Sequence, residues 1–92
     1  GVPQDYKEAV RLYRLAAELG DSGAQYNLGT MYGNGKGVVQ DFIYAHMWWN
    51  IAASNGFDKG NKTRVEEKMT TTDISEAQRL ARECVKKNYT GC

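Results

Sequence analysis

GVPQDYKEAVRLYRLAAELG, residues 1–20, and GVVQDFIYAHMWWNIAASNG, residues 37–56, align without a gap at an offset of 36. Eight of the twenty positions are identical: Gly1/Gly37, Val2/Val38, Gln4/Gln40, Asp5/Asp41, Ala9/Ala45, Ala16/Ala52, Ala17/Ala53 and Gly20/Gly56. Tyr6/Phe42, Tyr13/Trp49 and Leu15/Ile51 keep their character. Self-similarity at a period of about 20–50 residues marks solenoids, propellers or arrays. The shared positions say which. Tyr6, Ala9, Val10, Tyr13, Ala16 and Ala17 recur at the i, i+3, i+4, i+7 spacing of one helical face, as do Phe42, Ala45, His46, Trp49, Ala52 and Ala53. Asp5 and Asp41 stand where an N-cap accepts from free backbone N–H groups. Gly20 and Gly56 stand where a helix closes in the left-handed conformation. The Ala–Ala pairs let a neighbouring helix approach closely. Each copy is a helix built to pack on helices.

Working outward, Ala24, Leu28, Met31 and Tyr32 line one face of a second helix over 22–32, with small Gly29 beside them. The turn-rich GNGKG after it ends that helix. Beyond Gly56 a less regular helix is expected over 58–69, with Val65 and Met69 as its apolar contacts. A last helix over 71–87 starts at Thr70 as N-cap, with Asp73 in its first turn. It carries Ile74, Ala77, Ala81 and Cys84 on one face. The five expected helices are 5–19, 22–32, 41–55, 58–69 and 71–87, with no sheet.

These residues resemble the Sel-one-like repeat family, a relative of the tetratricopeptide repeat. AQYNLGTMYGNGKGVVQDFIYAHMWWNIAASNG, residues 24–56, carries its A-x-x-x-L-G-x-M-Y-x-x-G block, its G-V-x-Q-D loop and its A-x-x-W-x-x-x-A-A-x-x-G helix. The resemblance implies an all-α fold, a right-handed α-solenoid of antiparallel helix pairs. On this reading 1–20 is the second half of a preceding repeat, 21–56 a complete repeat, and 57–92 a divergent last repeat with a capping helix similar to those of bacterial members. The pattern is departed from where Gly60, Arg64 and Lys68 replace the expected Ala, Leu and Tyr. A one-residue shift gives those roles to Val65 and Met69. The first helix of the first repeat is missing from the pattern, so apolar surface is expected around Tyr6 and Val10, open to self-association through the N-terminal helix.

Bulk composition excludes several functions. Twelve Lys and Arg against eleven Asp and Glu leave a net charge of +1, no footprint for nucleic acid. No apolar run reaches the roughly 18 residues of a membrane span, so no membrane insertion is expected. No signal-peptide pattern is visible at the start. Two cysteines and one histidine cannot make a four-ligand structural zinc site, and nothing implies a cofactor.

Individual motifs read blandly. His46, the one histidine, falls on the packing stripe, and its nearest acids in sequence, Asp41 and Asp58, read as caps. GNGKG lacks the flanking residues of a phosphate loop, with Thr30 and Gly37 at its decisive positions. Trp49 matches Tyr13 and is expected to be buried, whereas Trp48 matches Leu12 and is expected near the boundary. Cys84 and Cys92 are either free thiols of a cytoplasmic protein or a local disulfide, which favours a periplasmic or secreted location. The bridge demands a chain reversal after residue 87, because eight residues of continued helix would hold the Cα atoms about 12 Å apart.

The functional expectation is a non-enzymatic protein-interaction module, an adaptor or scaffold that presents a helical groove to a peptide or protein partner. By analogy with tetratricopeptide repeats, the first helix of each pair lines the groove. That assigns Tyr26, Thr30 and Asn34 from one helix and Lys62 and Glu66 from the next, with Thr63 and Glu67 replacing the last two if the register shifts. Two alternatives stand beside it. One is a cell-wall or β-lactam-related binding or hydrolase accessory domain, for which His46 would need a carboxylate and a pocket. The other is a structural spacer in a longer chain.

Overall fold

The local signals become helices because their ends are satisfied. The computed structural model describes residues 5–92, so the pairing of Gly1, Val2 and Gln4 with the second copy lies outside the described residues. Five α-helices follow in order: α1 (Tyr6–Glu18), α2 (Ser22–Asn34), α3 (Phe42–Ser54), the short α4 (Asn61–Val65) and α5 (Thr71–Lys86). No strand occurs among the described residues. Asp5, Asp21 and Asp41 each accept from the backbone N–H three residues on, at 3.0, 2.9 and 3.0 Å, and cap α1, α2 and α3. Thr70 and Asp73 close a reciprocal capping box on α5.

The two repeat copies also end alike. Asp21 N–H reaches the carbonyl of Ala16 and Gly20 N–H that of Ala17; Phe57 and Gly56 repeat the pattern on Ala52 and Ala53. Gly20 and Gly56 take φ of 92° and 94°, so each copy finishes in a Schellman motif.

The helices stack as an α-solenoid, with α1 on α2 and α3 packed against α2, α4 and α5. The α2–α3 contact is close because Gly29 and Gly33 present no side chain. A Cβ on Gly29 would lie 2.7 Å from Trp49 Cδ1, and one on Gly33 3.0 Å from Trp49 Cη2. The indole lies across both glycines and donates from Nε1 to the Tyr26 carbonyl at 3.1 Å. One core cluster joins Val10, Ala17, Leu28, Met47, Trp48, Ile51, Ala81 and Cys84; a second joins Ala45, Trp49 and Val65.

Four expectations are corrected. The helix expected over 58–69 is α4 plus a 3₁₀ turn at Glu66–Lys68. Asp58 does not cap it: its carboxylate accepts from Gly60 N–H and closes a turn, with Gly60 at φ 79°. Val65 and Met69 do supply its apolar contacts. Trp48 is 0% exposed rather than near the boundary, because α5 covers the face of α3 that carries it. Val10 is buried and Tyr6 half-buried, packed by the loop after α2; the open apolar residues are Leu12 and Leu15 of α1 and its C-cap Leu19 instead.

The chain does reverse after residue 87. Asn88 and Tyr89 take φ of 54° and 65°, and Tyr89 N–H returns to the Cys84 carbonyl at 2.9 Å. Asn88 adopts the left-handed conformation readily, whereas Tyr89 is strained by roughly 1–2 kcal/mol. The Tyr89 ring offsets this by packing beside Gly20 while its hydroxyl meets Asn55. Cys92 then lies 5.7 Å from Cys84 between Cα atoms, with the sulfurs 2.06 Å apart.

Candidate functional site

The side of the stack formed by α2 and α4 contains a cleft whose position follows from Val65. That residue is buried against Ala45 and Trp49, so helical spacing sends Asn61, Arg64 and Lys68 along one flank. Gly33 and Asn34 of α2 form the opposite flank, and Phe42, Trp49 and Val65 supply the apolar floor. The cavity is about 170 Å³. That is below the roughly 300–1,000 Å³ of small-molecule sites and suits a single side chain of a larger partner.

Its electrostatics are cationic. Arg64 donates from Nη2 to Asn61 Oδ1 at 2.6 Å, and Lys68 Nζ stands 5.6 Å from the centre of the Phe42 ring. At the other end of α2, Lys59 Nζ lies 5.7 Å from the ring of Tyr26 and 5.3 Å from that of Phe57. Among the described residues none of these three cations forms an ion pair with a carboxylate. Cations over aromatic faces, with amides beside them, can hold carboxylates and peptide groups.

Of the five residues expected to bind a partner, Asn34 alone lines this cleft. Tyr26 is half-buried, its ring 5.0 Å from Phe57 and 6.5 Å from Trp49. Thr30 returns its hydroxyl to the Tyr26 carbonyl at 3.1 Å. Lys62 is half-buried outside the cleft. Glu66 turns to α3, where its Oε1 lies 2.9 Å from His46 Nε2. The alternatives Thr63 and Glu67 are exposed. Asn61, Arg64 and Lys68 went unassigned in the sequence; taking Val65 as the inward anchor would have found them.

The His46–Glu66 pair supplies the carboxylate that a hydrolytic reading needs. With Glu66 ionised, Nε2 is the donor and the glutamate the acceptor. The imidazole is 0% exposed, however, and does not line the α2–α4 cleft. The pair ties the 3₁₀ turn to α3. No cluster of three or more His, Cys, Asp or Glu residues able to hold a metal ion occurs among the described residues. No helix among them is long and apolar enough to cross a membrane.

Buried Gln25 is a further residue that the sequence concealed. It donates to the Ala17 carbonyl at 3.2 Å and accepts from Asn55 Nδ2 at 2.9 Å, and Asn55 in turn meets the Tyr89 hydroxyl at 3.2 Å. This network joins the ends of α1 and α3 to the C-terminal tail.

The chain shares 39% identity over 56 residues with an exopolysaccharide production negative regulator of Rhizobium leguminosarum bv. viciae, covering 61% of this chain and 21% of that protein. A protein of the same description from Rhizobium meliloti (strain 1021) is 36% identical over 55 residues, covering 60% and 20%. Chitin synthase regulatory factor 3 of Schizosaccharomyces pombe is 41% identical over 66 residues, covering 72% and 7%. The chain thus spans at most about a fifth of the length of these relatives. The Sel1 repeat family model matches residues 1–21 and 22–57, together more than half of the sequence. With that match and this stack of capped helix pairs, the chain belongs to the Sel1 repeat family.

Proposed function

We propose that this chain is the protein-binding part of an adaptor or scaffold and that the α2–α4 cleft receives one anchor side chain of a peptide or protein partner. Sel1 repeats generally mediate protein–protein interaction. The observation that carries the reading here is the single-side-chain notch floored by Phe42, Trp49 and Val65 and flanked by the unpaired cations Arg64 and Lys68. Asn34 contacts the partner within the notch, whereas Tyr26, Thr30, Lys62 and Glu66 lie outside it. The role is non-catalytic; the closed environment of His46 supports that over the cell-wall or β-lactam-related alternative. Regulation is the setting suggested by the descriptions of the relatives. The Cys84–Cys92 bridge favours a periplasmic or secreted location. Any self-association through α1 would run along Leu12, Leu15 and Leu19.

The test is a photo-crosslinking residue placed at Asn34 in the longest native form of the protein, expressed in its own host. A discrete protein adduct is expected from Asn34 and not from Arg79 on the outer face of α5, and Arg64→Glu with Lys68→Glu should abolish it. Identical adducts from both positions, or none dependent on Asn34, would refute the reading and leave a structural spacer as the better account.

A further inference from the structure

A second groove lies between α3 and α5, and its volume of about 560 Å³ is more than three times that of the α2–α4 notch. Ile51 and Ala81 form its buried floor, and Val85 forms an apolar wall that is 46% exposed. The rim residues Asn50, Ser54 and Gln78 are neutral, and the Ser54 hydroxyl is returned to the Ile51 carbonyl. Arg82 and Lys86 complete the lining. From Gln78 to Lys86 the groove runs about 12 Å, or two helical turns.

Its charge is set by how α5 distributes its ion pairs. Glu76 and Glu83 both pair with Arg79, so the acids near the middle of the helix are engaged on that side. Arg82 and Lys86, one turn apart, have no acidic partner among the described residues. Lys86 lies in the last turn, where the helix dipole favours a cation; Arg82 lies a full turn earlier and repels it. A chain of net charge +1 thus presents an apolar two-turn groove edged by two unpaired cations and no acid.

We infer that the α3–α5 groove is a second docking surface, whose occupant is an acidic amphipathic helix of a partner protein. Apolar side chains at i, i+3 and i+7 of that helix sit on Ile51, Ala81 and Val85, and its carboxylates meet Arg82 and Lys86. This is helix-in-groove recognition, with the apolar floor giving affinity and the cations giving orientation and choice of partner. It lies on a different pair of helices from the α2–α4 notch and stands independently of it.

The test uses the intact chain with its disulfide and two synthetic helices of about four turns. Both carry Leu at the same i, i+3, i+7 positions; one is flanked by Glu and the other by Lys. Calorimetry at low salt should show the Glu-flanked helix binding at least about tenfold tighter. Val85→Asp, at a half-exposed position in the last turn of α5, should weaken that binding at least about tenfold while the free chain keeps its helical circular dichroism. Arg82→Glu with Lys86→Glu should invert the preference towards the Lys-flanked helix. Equal affinity for the two helices, no binding of the Glu-flanked helix, or binding indifferent to Val85→Asp would each overturn the assignment. So would sedimentation showing a dimer that Val85→Asp dissolves, since a second copy would then fill the groove. None of these outcomes bears on crosslinking from Asn34, so the two surfaces fail separately.

Discussion

Gly29→Ala should destabilise this protein although alanine is the better helix former, because Trp49 occupies the space the methyl needs. The added Cβ would lie 2.7 Å from Trp49 Cδ1, 2.8 Å from Nε1 and 3.1 Å from the Ala45 carbonyl oxygen. The indole cannot retreat freely, since its far edge already lies against Gly33 and its Nε1 is bonded to the Tyr26 carbonyl. Overpacking of this kind costs about 1–3 kcal/mol. Disturbing the indole hydrogen bond adds about 1 kcal/mol. Replacing a mid-helix glycine returns about 1 kcal/mol through propensity. The balance is a loss of about 1–3 kcal/mol in urea unfolding followed by far-UV circular dichroism. Trp49→Ala removes both ring atoms that clash, so Gly29→Ala in that background should be neutral or slightly stabilising. The double-mutant cycle should then show a coupling of about 2 kcal/mol. If Gly29→Ala is neutral or stabilising in the native background, α2 and α3 are not in the close contact described. The floor of the α2–α4 cleft would then be misplaced as well.

Three further outcomes can be measured. Closing the eight-residue separation of Cys84 and Cys92 should contribute about 2.5 kcal/mol on the chain-entropy model, so reduction or Cys92→Ser should lower Tm by roughly 10 °C or more; an unchanged Tm would show that the tail adds nothing. Glu66→Ala leaves buried His46 Nε2 without its acceptor and should cost about 1–3 kcal/mol, whereas Glu66→Gln, which keeps an acceptor oxygen, should cost much less; equal effects in urea melts would mean the contact is incidental. The hydrogen bond from Arg79 holds the Glu76 carboxyl below the usual glutamate range. Its small stabilising contribution is therefore present above the unfolded-state pKa and lost as pH falls through the lower folded value. A carboxyl-carbon NMR titration should show a depressed midpoint that returns to normal in Arg79→Ala, and an unmoved midpoint would refute the pairing.

What could be read from the sequence was what chemistry close in the chain decides. Asp5, Asp41 and Thr70 cap helices because a short polar side chain reaches an N–H three residues on, whatever the rest of the fold does. Gly20 and Gly56 end helices for an equally local reason. The α4 segment failed the same reading because its neighbours compete: Gly60 in a left-handed turn and Asp58 bonded to it start the helix late, and Val65 is its one buried residue. The candidate cleft was legible only as a side of the stack. Which residues of 61–68 face α2 depends on the inward setting of Val65, and Glu66 leaves the groove because His46, twenty residues away in sequence, supplies a partner. Tyr89 was hidden for a related reason, since its unfavourable φ is compensated by contacts to Gly20 and Asn55 that no local pattern announces.

The repeat itself shows how far neighbours govern a side chain. Leu12 and Leu15 of α1 occupy the same positions in the unit as Trp48 and Ile51 of α3. The first pair is 52% and 53% exposed, and the second is 0% and 1% exposed. Helix geometry is the same in both, so the difference lies in α5, which packs broadly on α3 through Ala81 and Cys84 and has no comparable contact with α1. The first copy leaves its leucines at the surface, where exposed apolar side chains are common. The second copy can carry a tryptophan because small residues on α5 leave room for it. Alanine at 81 matters more than its small buried area suggests. A bulky residue there would press on the cluster that holds Trp48 and Ile51 and change the width of the groove beside Val85, so the contact that buries the second copy also shapes the larger of the two clefts.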